Sequence, residues 1–536
     1  MAAVNSNVET QVLEEPELAM TLAELLAEGR VVPLLAHGDL QLPISGIQNY
    51  PLEVRAGDLF ITSEAGGLAE ARKRGAVAVV SDREIATDEA LGFDATVVVE
   101  DVPSAIPPLA AAFYGHPSRS LAVVAVTGTN GKTTTTHLVR AVYEAMGMRT
   151  GMLGTLGFYV PGQSKLESCF TTPESITTQR LMAQMVRSGT KAVAMEASSE
   201  GLVERRCDEL DIDVAVFTNL TRDHLDYHGT EEHYRTSKGK LFAMMVDPER
   251  HRKVVNVDDP NAAYFVAQGG PDVPLVTYAV EDERADVRPL EFELSLFGTR
   301  VAVRTPRGVL EISSGLLGRH NMYNILAAVA VGVAVGAPSE DIVRGIKEVR
   351  MVPGRFELID EKQSFSVVVD YAHTPDALSK VLDAARELGP RRVITVFGCG
   401  GDRDRGKRPL MTRIATEKSD VVILTSDNPR NEDPVDILND MLAGIGWTMH
   451  DYLKHGENDY YPPLPNGHRL FVHEKRRVAV RAAVAMGEKG DIVIVAGKGH
   501  EKYQIEGDKK ENFDDREECR KALHDVNELR QAGTDK

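Results

Sequence analysis

Residues 121–135 read Leu-Ala-Val-Val-Ala-Val-Thr-Gly-Thr-Asn-Gly-Lys-Thr-Thr-Thr, and few architectures accommodate that order. The apolar, β-branched first half is the pattern of a strand buried in a parallel sheet. Gly128, Thr129, Asn130 and Gly131 break the run, and Lys132 and Thr133 open a helix-compatible stretch. Strand, glycine-rich turn and helix N-terminus form a cradle whose free N–H groups and helix dipole face an anion. Lys132 is placed to neutralise β- and γ-phosphates, and the Thr133 hydroxyl to ligate Mg²⁺. The standard spacing has glycine where this chain has Val126, so an ordinary glycine-rich strand–helix turn is the alternative.

A sheet built on such a strand needs further strand–helix units. The 536 residues hold roughly three domains at ~150 residues each. Between 119 and 352, β-like runs at 192–195, 214–217 and 253–257 alternate with helical patterns. That predicts a parallel α/β sheet with ligands at the carboxyl ends of its strands. Glu196 follows one strand, and the run 218–228, with Asp223 and His224, follows the next. A carboxylate and an imidazole there reach a metal held by Thr133 and a nucleotide. The plainer readings are a helix-capping carboxylate and a structural hydrogen bond.

Residues 353–536 repeat the alternation, with strands at 364–369, 392–397, 421–424 and 491–495, each ending in a polar or charged, glycine- or proline-bearing loop. Arg403, Arg405, Lys407, Arg408 and Arg430 are expected to converge on that face and bind carboxylate or phosphate. A solvated basic rim is the alternative. Residues 1–118 carry a short helix at 22–26 and β-like runs at 58–61, 76–80 and 95–99, without a catalytic constellation. The expected fold class is α/β in three domains, 1–118, 119–352 and 353–536. The central one is a doubly wound parallel sheet with the phosphate loop, and the C-terminal one is Rossmann-like.

A net charge of −19 argues against a free-standing nucleic-acid binder. Cys169, Cys207, Cys399 and Cys519 are scattered, which points to neither a disulfide framework nor a zinc site and to a reducing compartment. No apolar run reaches the ~18 residues a membrane span needs. Residues 1–20 are polar and acidic, unlike a signal or transit peptide.

Together these motifs resemble those of the Mur ligases, specifically the MurE type that adds the third residue of the peptidoglycan stem peptide. The resemblance covers residues from about 107 to 508. It rests on the loop 127–133, Thr171-Thr-Pro173, Glu196, Asp223-His-Leu-Asp226, Lys238, Gly318-Arg-His-Asn-Met-Tyr-Asn324, Pro353-Gly-Arg-Phe-Glu357, Asp370-Tyr-Ala-His373, Gly400-Gly-Asp-Arg403, Asp427-Asn-Pro-Arg430 and Gly497-Lys-Gly-His-Glu501. It implies ATP on Gly128, Thr129, Asn130, Gly131, Lys132 and Thr133, framed by Asn321, Asn324, Arg355, Asp370 and His373. It implies Mg²⁺ on Glu196 and His224, and a carbamylated Lys238 beside a second metal. Thr171, Thr172, Ser198 and Arg206 match contacts to the muramoyl-peptide. Asp427, Asn428 and Arg430 match the diaminopimelate pocket, with Arg430 forked onto the distal carboxylate; Arg403, Gly497 and Glu501 complete it. The implied chemistry is an acyl-phosphate formed from ATP and the substrate carboxylate, then attack by the diaminopimelate amine. Cations there neutralise developing charge.

The departures concentrate in the first domain. Family members carry Asp-Ser-Arg after the Gly-Ile step to hold the uridine; here Gly46-Ile47-Gln48 leads into Asn49-Tyr50-Pro51. After the run 59–61 the family has a longer segment with an Asp-Gly-His element, absent here. Glu200 replaces the histidine usual after Ser-Ser, a carboxylate expected to repel phosphates. The connection 447–468 is longer than usual and contains Tyr460-Tyr-Pro-Pro-Leu-Pro465, which suits a protein contact or a passive insertion.

This insertion and the charged tail resemble those of the land-plant plastid MurE-like proteins, a group associated with the plastid-encoded RNA polymerase. Two expectations follow. The favoured one is a chloroplast structural subunit of that complex, its transit peptide outside this sequence, contacting polymerase subunits without binding nucleic acid or membrane. The other is an active ligase of UDP-MurNAc-dipeptide and meso-diaminopimelate, cytoplasmic if bacterial. ATP and Mg²⁺ are implied by both.

Overall fold

The computed structural model describes residues 20–86, 92–168, 170–295, 297–456 and 469–534. Three parallel-rich sheets follow one another along the chain. The first comprises β1 (Leu35–Gly38), β2 (Gly46–Gln48), β3 (Asp58–Ile61), β4 (Ala78–Ser81) and β5 (Ala95–Val98), ordered β1-β5-β4-β3-β2 and antiparallel only at β1–β5. Ahead of it, helix α1 (Leu22–Glu28) starts in a capping box. Thr21 Oγ1 accepts from Glu24 N at 3.2 Å, and the Glu24 carboxylate accepts from Thr21 N at 2.9 Å.

The central sheet has seven strands: β6 (Ala122–Thr127), β7 (Thr150–Gly154), β8 (Gly157–Tyr159), β9 (Ala192–Glu196), β10 (Val214–Phe217), β11 (Arg252–Asn256) and β12 (Leu275–Tyr278). Their order is β8-β7-β9-β6-β10-β11-β12, parallel except at β8. The run starting at Leu121 is therefore the middle strand. Its residues Val123–Val126 are fully buried, as unbroken apolar β-branched runs in parallel sheets are. Helices α2 (Lys132–Ala145), α3 (Ser175–Arg187), α4 (Glu231–Ala243) and α5 (Arg319–Ala334) surround it. α5 is almost wholly apolar from Ile325 to Ala334 and packs in the same core as α2. A three-stranded antiparallel sheet, β13 (Arg288–Ser295), β14 (Gly298–Thr305) and β15 (Gly308–Ser314), closes that core and was not anticipated.

The third sheet contains β16 (Glu357–Ile359), β17 (Ser366–Asp370), β18 (Val393–Cys399), β19 (Val421–Ser426), β20 (Arg469–Val472) and β21 (Ile492–Ala496), ordered β16-β17-β21-β18-β19-β20. Only β16–β17 is antiparallel. Helices α6 (Pro375–Glu387) and α7 (Lys407–Lys418) follow β17 and β18. A hairpin, β22 (Tyr503–Glu506) with β23 (Lys509–Asn512), stands outside the sheet. Cys207, Cys399 and Cys519 are buried and unpaired. Cys169 and the aromatic–proline stretch 460–465 lie outside the described residues. Among those described, no helix is long and apolar enough to cross a membrane.

Candidate active site

Register brings the predicted residues together. Val126 pairs with Glu196, and Thr127 with Phe217, so three strand tips end side by side. The phosphate loop leaves the middle tip with Gly128 at φ +144° and Gly131 at φ +89°. A β-carbon at Gly128 would collide with Thr218 Oγ1, and one at Gly131 with Asn324 Oδ1. Both positions need glycine for conformation and for space. Thr129 N donates to Asn219 O at 2.8 Å, Asn130 N to Asn219 Oδ1 at 3.0 Å, and Thr218 Oγ1 to Asn130 O at 2.7 Å. Lys132 Nζ folds back onto the Gly128 and Thr129 carbonyls, 2.9 Å from each. Burial holds its ammonium below the usual lysine range, against the opposing pull of Glu196 and Asp223.

Thr133 Oγ1 donates to Glu196 Oε2 at 3.1 Å, and Arg355 donates to Thr133 Oγ1 at 3.0 Å. Glu196 is buried, and Thr155 donates to it through N and Oγ1, at 2.9 and 3.1 Å. Among the described residues, no cluster of three or more His, Cys, Asp or Glu side chains is arranged to hold a metal ion. The Thr133 hydroxyl with the Glu196 carboxylate nevertheless fits Mg²⁺. This ion takes one or two protein oxygens beside a phosphate loop and completes its shell from phosphates and water.

His224 does not join Glu196 in that pair. Its Nδ1 is 3.3 Å from Glu200 Oε1 and its Nε2 is 3.3 Å from Asp223 Oδ2. Glu200 is thus partnered by an imidazole, a contact that sequence reading missed. Lys238 is buried, with Nζ donating to Gly128 O at 2.9 Å over the Tyr234 ring. Burial, reinforced by Lys132, pushes its ammonium far below the lysine range.

The residues expected to frame a nucleotide come from two domains. Asn324 donates to Asn321 Oδ1 at 2.9 Å, and Asn321 to Leu317 O at 2.8 Å. Asp370 accepts from Phe356 N at 2.6 Å and Ala372 N at 2.7 Å; burial pushes its carboxyl above the usual carboxylate range, making it a weaker acid. Arg355 lies over the Tyr371 ring. His373 donates through Nδ1 to Tyr371 O at 2.8 Å, and burial pushes its imidazole down to about 4.

Thr172 Oγ1 donates to Glu196 O at 2.9 Å and accepts from Ser198 N at 2.9 Å, while Thr171 and Thr155 share a hydroxyl contact at 3.1 Å. Arg206 donates to Thr172 O at 2.9 Å, pairs with Glu204 and covers the Phe170 ring. In the first domain, Tyr50 donates to Glu174 Oε1 at 2.5 Å. Burial and that carboxylate raise the phenol well above its ordinary range. The stretch where the resemblance would set a uridine handle therefore binds its own chain.

In the third domain, Asn428 donates to Glu501 at 2.9 Å, and the buried Lys498 ammonium bridges Asn428 Oδ1 at 3.0 Å and Glu501 Oε2 at 2.9 Å. Lys498 sits inside a glycine motif with no sign of its role in the sequence. Gln504 donates to Asp427 O at 2.6 Å, and Arg430 N to Ile505 O at 3.1 Å, so the hairpin clasps the loop 427–430. Arg430, at φ +54°, donates to Gly401 O at 2.7 Å. Gly497, at φ +112°, closes against Asp427.

The expected convergence of five cations is corrected here. Arg408 is fully buried in a structural network with Glu432, Asp440 and Gly400 O, at 2.7–3.1 Å. Arg405 points outward to Asp440. Both are paired with carboxylates of their own domain, and Arg408 has no exposed surface left for a ligand. Lys407 faces the central domain, where its charge favours the ionised form of Asp223. The charge of Arg403 reaches Glu200.

Residues 126–332 match the Mur ligase middle domain, and residues 354–499 the Mur ligase glutamate ligase domain. A chloroplastic MurE homologue of the UDP-N-acetylmuramoyl-L-alanyl-D-glutamate–2,6-diaminopimelate ligase in Arabidopsis thaliana is 63% identical over 525 residues, spanning 97% of this chain and 68% of that relative. The chain belongs to the Mur ligase family. The diaminopimelate ligase of Geobacillus thermodenitrificans is 43% identical across 85% of this Mur ligase and 88% of its own length. A solved structure of such a ligase superposes with a TM-score of 0.64 at 32% identity, covering 95% of this chain and 99% of the other. The parallel-rich sheets and the phosphate loop at the middle strand are those of a multidomain Mur ligase.

Proposed function

We propose that this MurE homologue is a chloroplast protein that keeps its adenine-nucleotide site and works as a structural subunit of the plastid-encoded RNA polymerase complex, supporting plastid gene expression and chloroplast biogenesis. One observation carries this reading: Tyr50, in the stretch where the resemblance would set the uridine triplet, is hydrogen-bonded to Glu174 of the central domain. A phenol committed to its own chain and a proline at 51 offer the uridine neither hydroxyl nor guanidinium. The chloroplastic names of the plant relatives support the location. Its polymerase contacts are protein to protein, in keeping with an acidic chain. Two measurements test it together. The pure protein should bind ATP and not the UDP-muramoyl-dipeptide, and it should co-purify with polymerase subunits from plastids. Saturable capture of the uridylated precursor would sink the reading.

A second reading, the active diaminopimelate ligase, is favoured by the Thr133–Glu196 pair and by Lys238. A buried amine held neutral is the form that combines with CO₂, so Lys238 is suited to carbamylation. Bound Mg²⁺ would supply charge neutralisation at the transferred phosphoryl group, held by Thr133 and Glu196. Lys132 would hold the phosphates, Arg355, Asp370 and His373 would frame the nucleotide, and Thr171, Thr172, Ser198 and Arg206 would orient the muramoyl-peptide. Asp427, Asn428, Arg430, Arg403, Gly497 and Glu501 would select the amino acid. Phosphate release from ATP, Mg²⁺, diaminopimelate and UDP-muramoyl-dipeptide, lost in Lys132→Ala, would establish it. Release equal to the Lys132→Ala background would rule it out.

A further inference from the structure

The phosphate loop touches the C-terminal domain directly. Asn130, at the turn of the loop, donates through Nδ2 to Asp376 Oδ2 at 2.9 Å. The Thr221 hydroxyl, from the loop after β10, donates to the same oxygen at 3.3 Å. Lys380 Nζ, one turn along α6, lies 2.9 Å from it. Asp376 stands in the first turn of α6, behind the Thr374 cap and Pro375, so the helix fixes where its carboxylate points. One oxygen of the third domain thus collects two donors from the central domain and one cation from its own. Asn130 is otherwise fastened to Asn219 and Thr218 through its backbone. Its side chain is free to report to the other domain.

We propose that Asp376 is a positioning residue that couples the phosphate loop to the docking of the C-terminal domain. Asp376 stands outside the motifs that mark nucleotide, metal and amino-acid contacts. It acts through Asn130 and Thr221: a loop shaped for phosphates presents both donors to Asp376, and a docked third domain holds the loop in that shape. Coupling of this kind is reciprocal, so nucleotide must favour docking as much as docking favours nucleotide. The inference rests on the nucleotide-binding half of the proposed function and is independent of any polymerase contact.

The test uses the full chain, a non-hydrolysable ATP analogue with Mg²⁺, calorimetric titration and small-angle scattering. Wild type against Lys132→Ala first establishes that the analogue binds at the loop; failure there removes the nucleotide reading itself. Asp376→Ala should then weaken the analogue about tenfold, within the 5–150-fold span usual for coupled sites. It should also enlarge the radius of gyration of the free protein. Asp376→Asn keeps the size of the side chain, removes its charge, and carries the test if the alanine variant fails to fold. Thr221→Val added to Asp376→Ala should weaken binding no further, because both act through one oxygen. Affinity within twofold of wild type in the Asp376 variants would overturn the proposal. So would weakened binding with an unchanged radius, since Asp376 would then act without moving the domain. Additive losses for Asp376 and Thr221 would overturn it as well.

Discussion

Arg476 and Asp515 meet in a two-point ion pair with neither side chain exposed: Nε to Oδ1 at 2.8 Å and Nη2 to Oδ2 at 2.7 Å. The same guanidinium donates to the Ala496 carbonyl at the tip of β21, 2.8 Å away. The pair therefore ties the C-terminal helix to the strand end that opens the Gly497 loop. Removing one partner strands a buried charge, so Asp515→Ala should cost about 3–5 kcal/mol. Replacing both by apolar residues, Arg476→Met with Asp515→Leu, should cost less than either single change. Hydrogen exchange of β21 amides in the three variants reads the order directly.

Gly128→Ala should abolish capture of ATP while leaving the first and third sheets folded. The added methyl would meet Thr218 Oγ1, and the backbone there has φ +144°. Titration with a fluorescent nucleotide, beside circular dichroism, checks both halves.

Acid should destabilise the protein earlier than its carboxylates alone would. Burial pushes the imidazoles of His137, His320 and His373 from 6.5 down to about 4. Native rings stay neutral while the unfolded chain takes up protons. Their contribution is complete above about pH 6.5, and it drains away as pH falls toward about 4. Melting curves between pH 7 and pH 4 should show the decline, and His320→Gln should flatten part of it.

Restoring the family's handle should restore its ligand. The triple change Asn49→Asp, Tyr50→Ser and Pro51→Arg removes the bond to Glu174 and returns a hydroxyl and a guanidinium. Affinity for UDP-muramoyl-dipeptide should rise at least tenfold, about 1.4 kcal/mol. Calorimetry on both proteins measures it, and no gain would mean that the groove is altered elsewhere too.

Arg405→Ala and Arg408→Ala should separate sharply although only two residues divide them. The exposed Arg405 pair is worth about 0.2–1 kcal/mol. Loss of Arg408 leaves Glu432 and Asp440 facing each other without their guanidinium and should cost about 3–5 kcal/mol. Chemical denaturation followed through the third domain distinguishes them.

Those two arginines also mark where sequence reading stops. The strands, their parallel pairing and the phosphate loop were legible because an apolar run ending in Gly-x-x-Gly-Lys-Thr has few other places to go. Thr133, in the first turn of the helix after β6, and Glu196, the last residue of the neighbouring β9, were legible because both stand at the tips of adjacent strands. Which way a charged side chain turns depends on helix phase and on partners far along the chain. Arg408 finds Glu432, 24 positions away, and Tyr50 finds Glu174, 124 positions away. The antiparallel β13–β15 sheet escaped notice because no residue of its outer strand is fully buried and its burial does not alternate. The β22–β23 hairpin was hidden by its charged sequence, every residue of β23 being exposed.

That hairpin has an evolutionary corollary. Arg430, Asn428, Glu501, Lys498 and the ribbon that clasps them all belong to one stretch of polypeptide after residue 353. On the ligase reading proposed above, choice of amino acid would thus be a detachable trait, transferable with that lobe by a single crossover and able to outlive loss of the proposed uridine grip in the first domain.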